Sequence, residues 1–354
     1  MSAAPSLARR LVAWQRQHGR HGLPWQGTRD PYRVWLSEIM LQQTQVSTVL
    51  AYYPRFLARF PDVQALARAH LDDVLALWSG LGYYSRARNM HRCAMVVVGQ
   101  HGGRFPRSSQ ALIDLPGIGR STAAAIAAFC HGERAAILDG NVKRVLTRVL
   151  GFGADLAEAA NERALWQHAQ DMLPAQDMAA YTQGLMDLGA TLCTQRRPAC
   201  TACPWRSDCV ALAQGRQELL PVKTRKLKRS RRDNALLHLR WTDQVWLVPR
   251  PATGIWAGLW TLPELPDPQG FEQLTASWPG QGHVGSRFKH QLTHLDWWLT
   301  PCHWRLPESV GDAPRQQLLA DWPEGRWFSE PAALAAGIAA PIRKLLIETA
   351  AVAG

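Results

Sequence analysis

The sequence predicts two domains of different class: an all-α domain over residues 1–214 and an α+β domain over 234–354, joined by a basic linker at 215–233. Three observations predict this. A chain of 354 residues is long for a single core, since domains run at about 100–200 residues. Apolar residues recur at helical spacing, with little strand signal, up to about residue 215, and short apolar runs bounded by turns take over from Asn234. Between them Lys223, Arg225, Lys226, Lys228, Arg229, Arg231 and Arg232 crowd a segment poor in apolar residues. That segment reads as an exposed linker, either a plain solvated connector or one that faces a polyanion.

The elements follow in order. Residues 6–18 read as an amphipathic helix with Leu7, Leu11 and Trp14 on one face, broken by Gly22-Leu23-Pro24-Trp25. Asp30-Pro31 opens a second helix over 31–43, with Asp as cap and Pro in the first turn. Leu36, Ile39 and Met40 make its apolar stripe, and Glu38 lies off it. Helical patterns continue at 46–60, 63–69, 72–79, 85–100 and 108–114, with a turn at Gly80-Leu81-Gly82-Tyr83-Tyr84. After Leu115-Pro116-Gly117-Ile118-Gly119 they resume at 120–130, 141–150, 158–172 and 178–192. In the second domain, Ala235–Trp241 and Gln244–Val248 are strands split by a Thr242-Asp243 hairpin; another strand spans 293–300, and 332–354 holds helical segments.

The formal net charge is +12, which fits a polyanionic partner, most simply nucleic acid. No run of about 18 apolar residues appears, so no membrane span is expected, and the N-terminus lacks the apolar centre of a signal peptide. Four of the seven cysteines stand as Cys193-x6-Cys200-x2-Cys203-x5-Cys209. An odd total with one tight group argues for a metal site in a reducing compartment over a disulfide framework. Four thiolates so placed can converge on one inorganic centre; zinc is compatible with the spacing.

Pro116-Gly117-Ile118-Gly119 joins two helical patterns. Its glycines permit a tight turn and a close backbone approach, and N–H groups just ahead of a helix suit a phosphate oxygen. Taken alone, such a turn is equally a plain connector. Asp139-Gly140-Asn141 precedes a helix carrying Lys143, Arg144 and Arg148. Asp139 is either a helix cap or a carboxylate held out for chemistry.

The order hairpin, helix, aspartate resembles the helix-hairpin-helix DNA base-excision glycosylases. Longer stretches narrow this: Leu23-Pro24-Trp25, Trp35-Leu36-Ser37-Glu38-Ile39-Met40-Leu41-Gln42-Gln43-Thr44, Gly80–Arg86 and Leu138–Val142 are similar to the adenine DNA glycosylase (MutY) family within the endonuclease III-like superfamily. The resemblance implies an all-α glycosylase domain followed by a Nudix-like domain that reads 8-oxoguanine. It implies a [4Fe–4S] cluster on Cys193, Cys200, Cys203 and Cys209, with Arg196 and Arg197 inside that loop near phosphates. Glu38 would be the acid and Asp139 the anion beside the sugar, with Asn141 positioning Asp139 or the water. Leu23, Trp25 and Gln183 would line the adenine pocket. Leu41, Gln43, Thr44, Tyr83, Pro116, Gly117, Gly119, Ser121 and Lys143 would meet DNA, with the target base flipped out. Thr293 and His294 would read 8-oxoguanine, although Leu292 stands where the family has an aromatic residue. Where endonuclease III-like lyases carry a lysine after the hairpin, this chain has Ser121, which cannot form a Schiff base; a monofunctional hydrolase is expected. The competing expectations are a glycosylase/lyase and a non-catalytic iron–sulfur DNA-binding protein. The implied setting is a monomer in the bacterial cytoplasm, associated with the nucleoid and with double-stranded DNA that carries adenine opposite 8-oxoguanine or guanine.

Overall fold

The computed structural model describes residues 6–224 and 228–353; Arg225 and Lys226 of the expected linker lie outside the described residues. The chain forms two compact units. The first comprises residues 1–68 and 92–226, the second 69–91 and 227–354.

The first unit is helical. Its helices are α1 (Leu7–His18), α2 (Pro31–Leu41), α3 (Val46–Arg59) and α4 (Val63–Arg68). Helices α5 (Leu71–Trp78) and the start of α6 (Ser85–His101) belong to the second unit, and the rest of α6 returns to the first. Then come α7 (Ser109–Leu112), α8 (Arg120–His131), α9 (Gly140–Leu150), α10 (Ala159–Asp171), α11 (Met178–Thr191) and α12 (Val210–Ala213). Local chemistry sets the ends. Ser6 accepts the Arg9 N–H ahead of α1, and Asp30 accepts the Tyr32 N–H ahead of α2, whose first residue is Pro31. Helix α2 stops at Leu41, two residues earlier than its apolar pattern suggests, because Gln43 takes a left-handed φ of 56°.

Two apolar clusters hold this unit. Leu11, Leu146, Leu165, Leu185 and Trp205 belong to one built on α1, α8, α9, α10 and α11. Around α2, Trp35 and Phe105 pack with ring centroids 5.1 Å apart, and Phe56 packs on Phe60. Each such fully buried side chain stabilises the fold by about 1.5–3 kcal/mol.

The second unit carries a sheet of β1 (Ser230–Trp241), β2 (Gln244–Pro249), β3 (Trp260–Thr261), β4 (Glu264–Leu265), β5 (Gln281–Val284), β6 (Phe288–Gln291), β7 (Leu295–Leu306) and β8 (Arg326–Ser329). Its helices are α13 (Pro268–Thr275), α14 (Asp312–Leu318), α15 (Glu330–Ala335) and α16 (Ala340–Ala353). The expected hairpin forms at Thr242-Asp243, with Trp241 opposite Gln244. Strand β1 begins at Ser230, four residues inside the segment expected as linker, and pairs in parallel with β7 from Ser230–Leu295 to Trp241–Leu306. Backbone pairing there satisfies the N–H and C=O groups while the side chains of Arg231, Arg232 and Asp233 stay exposed. Charge in the sequence marks the exposed face and does not exclude a strand.

Candidate active site

Glu38 sits on the last turn of α2 and Asp139 caps the N-terminus of α9. Glu38 is packed densely by protein yet keeps a partly open surface. Burial pushes its carboxyl from 4.5 up to about 8, and the Asp139 carboxylate adds to the rise. Asp139 Oδ1 accepts the Val142 N–H at 2.8 Å. The positive end of the α9 dipole therefore faces it.

What holds Asp139 in place comes from three sides. Ser121, on the first turn of α8, accepts the Leu138 N–H through its hydroxyl at 3.0 Å. Its side chain is thus turned inward, onto the residue before Asp139. Gln42 Nε2 donates to Thr122 Oγ1 at 3.3 Å, tying the end of α2 to the same turn. On α11, Gly189 lies against Asn141: a Cβ built there would stand 2.7 Å from the Asn141 Cβ. Asn141 Oδ1 accepts from Arg144 Nη2 at 2.8 Å, so its hydrogen bond runs to Arg144 and not to Asp139.

Arg144 and Arg148, read from sequence as cations behind the aspartate, turn toward the cysteine loop. Arg144 donates through Nε to the Cys193 carbonyl at 2.7 Å and through Nη2 to the Gly189 carbonyl at 2.7 Å. Arg148, 2% exposed, donates to the carbonyls of Thr194 (2.7 Å), Gln195 (3.0 Å) and Leu220 (3.2 Å), and its Nη1 is 3.4 Å from the Cys193 sulfur. Sequence spacing missed this because a cation on an amphipathic helix looks the same whether it meets solvent or buried carbonyls. Replacing Arg148 with Met orphans those carbonyls and is expected to destabilise the first unit on the order of 3 kcal/mol; urea unfolding followed by tryptophan fluorescence measures it.

Cys193, Cys200, Cys203 and Cys209 all line one small cavity, together with Leu192, Pro198 and Leu212. All four are partly buried and none is in a disulfide. The donor set, the apolar walls and the Arg148 guanidinium beside Cys193 fit a thiolate-held centre. Trp205, inside the loop and 1% exposed, donates Nε1–H to the Leu7 carbonyl at 2.8 Å and anchors the loop to α1.

In the hairpin, Gly117 has φ 79°, which an L side chain rarely adopts. Gly119 caps α8 without any side-chain hydrogen bond, and a Cβ there would meet nothing within 4 Å. The first turn of α8 is thus open to an anion. Pro116 is partly buried and Gly117 exposed. Lys143 Nζ is taken by Glu162 Oε1 at 2.7 Å.

Leu23 and Trp25 lie in the loop between α1 and α2. Trp25 is buried and meets the Tyr53 ring edge-on at 5.5 Å. The Leu23 N–H donates to Gln26 Oε1, and Gln26 Nε2 donates to the Arg20 carbonyl. Arg20 in turn pairs with Asp187 of α11, to which Gln183 also donates. This chain of bonds joins the loop to Gln183. Leu41 and Thr44 are partly buried, whereas Gln43 is exposed.

Within the second unit, Tyr83 and Thr293 come together: their hydroxyl oxygens are 3.3 Å apart. Thr293 and His294 are exposed at the tip of the β6–β7 turn. Tyr83, 46% exposed, has φ 48°. Backbone held in this region by a bulky residue is sparsely populated and collects at functional sites; Gln43 shares the feature.

A hairpin ahead of a helix, followed by a carboxylate on the next helix's cap, defines the helix-hairpin-helix class of base-excision proteins. Residues 36–170 match the family model described as HhH-GPD superfamily base excision DNA repair protein, and residues 235–348 match the NUDIX domain model. The chain belongs to the adenine DNA glycosylase family. It is 34% identical over 304 residues to the adenine DNA glycosylase of Buchnera aphidicola subsp. Acyrthosiphon pisum, spanning 84% of this chain and 86% of that one. To the human adenine DNA glycosylase it is 43% identical over 219 residues, 59% of this chain and 40% of that one. Among solved structures, a thermostable thymine-DNA glycosylase superposes with a TM-score of 0.53 at 28% identity, covering 58% of this chain and 95% of that one.

Proposed function

We propose that this protein hydrolytically excises adenine opposite 8-oxoguanine or guanine in duplex DNA and leaves the strand uncut. The observation that carries the reading is the pair Glu38 and Asp139, one carboxyl buried and raised to about 8, the other on a helix N-terminus and close enough to add to that rise. Two carboxyl groups in unlike settings divide acid from anion.

Adenine first leaves the stack, at a cost of a few kcal/mol. Glu38 gives its proton to adenine N7, and the C1′–N9 electron pair departs with the neutral base. The sugar becomes cationic at C1′, where the Asp139 carboxylate stabilises it, directly or as a transient ester. Water adds to C1′, its proton returns to Glu38, and an abasic site remains. Ser121 offers no amine to C1′, so no imine forms and no strand breaks.

Gly117, Gly119 and the open first turn of α8 grip a phosphate. Gln43, Leu41, Thr44 and Tyr83 fill or border the vacated stack, with Lys143 released from Glu162 when a phosphate competes for it. Leu23, Trp25 and Gln183 border the base, and Thr293 and His294 face the opposite 8-oxoguanine. Cys193, Cys200, Cys203 and Cys209 hold a [4Fe–4S] cluster, in favour of which stands their shared cavity; among the described residues no three such groups are set for a single ion. When bound, the cluster supplies covalent ties that fix the loop's shape. Residues 234–354 act as the reader of the opposite base. Among the described residues no helix is long and apolar enough to cross a membrane.

Incubating the protein with a labelled duplex bearing adenine opposite 8-oxoguanine tests the reading. Free adenine is expected, with strand breaks only after hot alkali. Breaks without alkali would favour a lyase, and no adenine at all a pure binder.

A further inference from the structure

Asp187 is wholly buried, yet nothing in the reaction above uses it. Its Oδ2 accepts the Arg20 backbone N–H at 3.0 Å, and its Oδ1 accepts Arg20 Nε–H at 2.7 Å. The same Oδ1 accepts from Gln183 Nε2 at 2.9 Å. An Asp held by a guanidinium is an acceptor only. The nitrogen of the Gln183 amide must therefore face Asp187, and its oxygen must face away. The chemistry of the partner thus decides the orientation of the amide. Among the described residues none donates to Gln183 Oε1, and Gln183 is partly exposed.

From this geometry we infer that Asp187 is a positioning residue that sets base choice through Gln183. It locks the amide so that a lone acceptor, never a donor, is offered to the base. Adenine carries an amino donor at C6; guanine and hypoxanthine carry a carbonyl acceptor there. A fixed Oε1 pairs with the first and repels the second. An unanchored glutamine would turn over and accept both. Arg20 serves the lock twice: its two donors keep both Asp187 oxygens as acceptors, and its carbonyl holds Gln26 and, through it, the Leu23 loop. The inference rests on the proposed glycosylase activity and on Gln183 bordering the base.

The test is single-turnover release of adenine, hypoxanthine and unsubstituted purine from one duplex context opposite 8-oxoguanine, using the full chain. Asp187→Asn and Gln183→Met should each lower the adenine-to-hypoxanthine rate ratio by ~10-fold or more. The double variant should lower it no further, since both changes act through one amide. A loss that is equal for all three bases, with the ratio unchanged, means Asp187 is merely structural and overturns the inference. Gln183→Glu keeps an acceptor toward the base, so its adenine-to-hypoxanthine ratio should stay above that of Gln183→Met; a ratio as low as that of Gln183→Met also overturns the inference. Should the parent release no adenine, the glycosylase reading itself fails, which is a different result from an unchanged ratio in an active enzyme.

Discussion

Glu38→Gln is expected to slow adenine release by about 10²- to 10⁴-fold, the range over which a positioned general acid contributes. Duplex binding should persist, because the change removes one proton and no volume. The parent's single-turnover rate should hold through neutral pH and decline above about 8, where Glu38 loses its proton. Stability also falls with pH, over a lower window. Glu38 has its folded value raised from 4.5 to about 8, so between those limits the folded chain holds a proton that the unfolded chain has lost. The folded state binds more protons, and its stability falls as pH rises across that window, by about 1.4 kcal/mol per unit at most. The amide of the Glu38→Gln variant cannot ionise and escapes this cost. Thermal melts at pH 5 and pH 8 should show the variant gaining on the parent at the higher pH. A variant that is fast, or no more stable at pH 8, would refute the assignment of Glu38 as a buried acid.

Asp139→Asn should lower the rate by about 10²- to 10³-fold, the scale of losing one preorganised charge at a developing cation. It is the cleaner experiment of the two. Asn is as good an N-cap as Asp, so the bond now made to Val142 N–H at 2.8 Å survives and α9 keeps its start. The melting temperature should stay within about 2 °C of the parent. Because the Asp139 charge helps raise Glu38, the alkaline limb of the residual rate should move to lower pH. Quantifying released base by chromatography across pH 6–9 reads both effects. Full activity in this variant would remove the anion from the mechanism.

Much of the first unit was legible in the sequence because helix signals are local. Asp30-Pro31, the apolar stripes and the glycine turns mark nearly every helix. The Glu38 and Asp139 candidates also came from local motifs and from a family resemblance. What the sequence left hidden is non-local. The parallel partnership of β1 with β7 joins residues 230–241 to 295–306, and no periodicity announces it. Strands β5 and β6 are four residues each, too short to leave a pattern. The bond that the Ser121 hydroxyl accepts from the Leu138 N–H, 17 positions further on, is likewise not announced by its place after the hairpin. Arg144, Arg148 and Asp187 look like ordinary helix-surface charges until their partners, some 40 to 170 residues away, are known.

The close approach of Gly189 to Asn141 has a consequence for how sequence variants of this chain should be judged. Position 189 carries no reactive side chain and meets the Arg144 guanidinium only through its backbone carbonyl, so a chemical inventory would rank it as neutral. A single added methyl there nevertheless overlaps the Asn141 Cβ and must push apart two helices whose junction holds the aspartate's turn. The tolerance of position 189 is therefore set by its closeness to that junction and not by any reactive group.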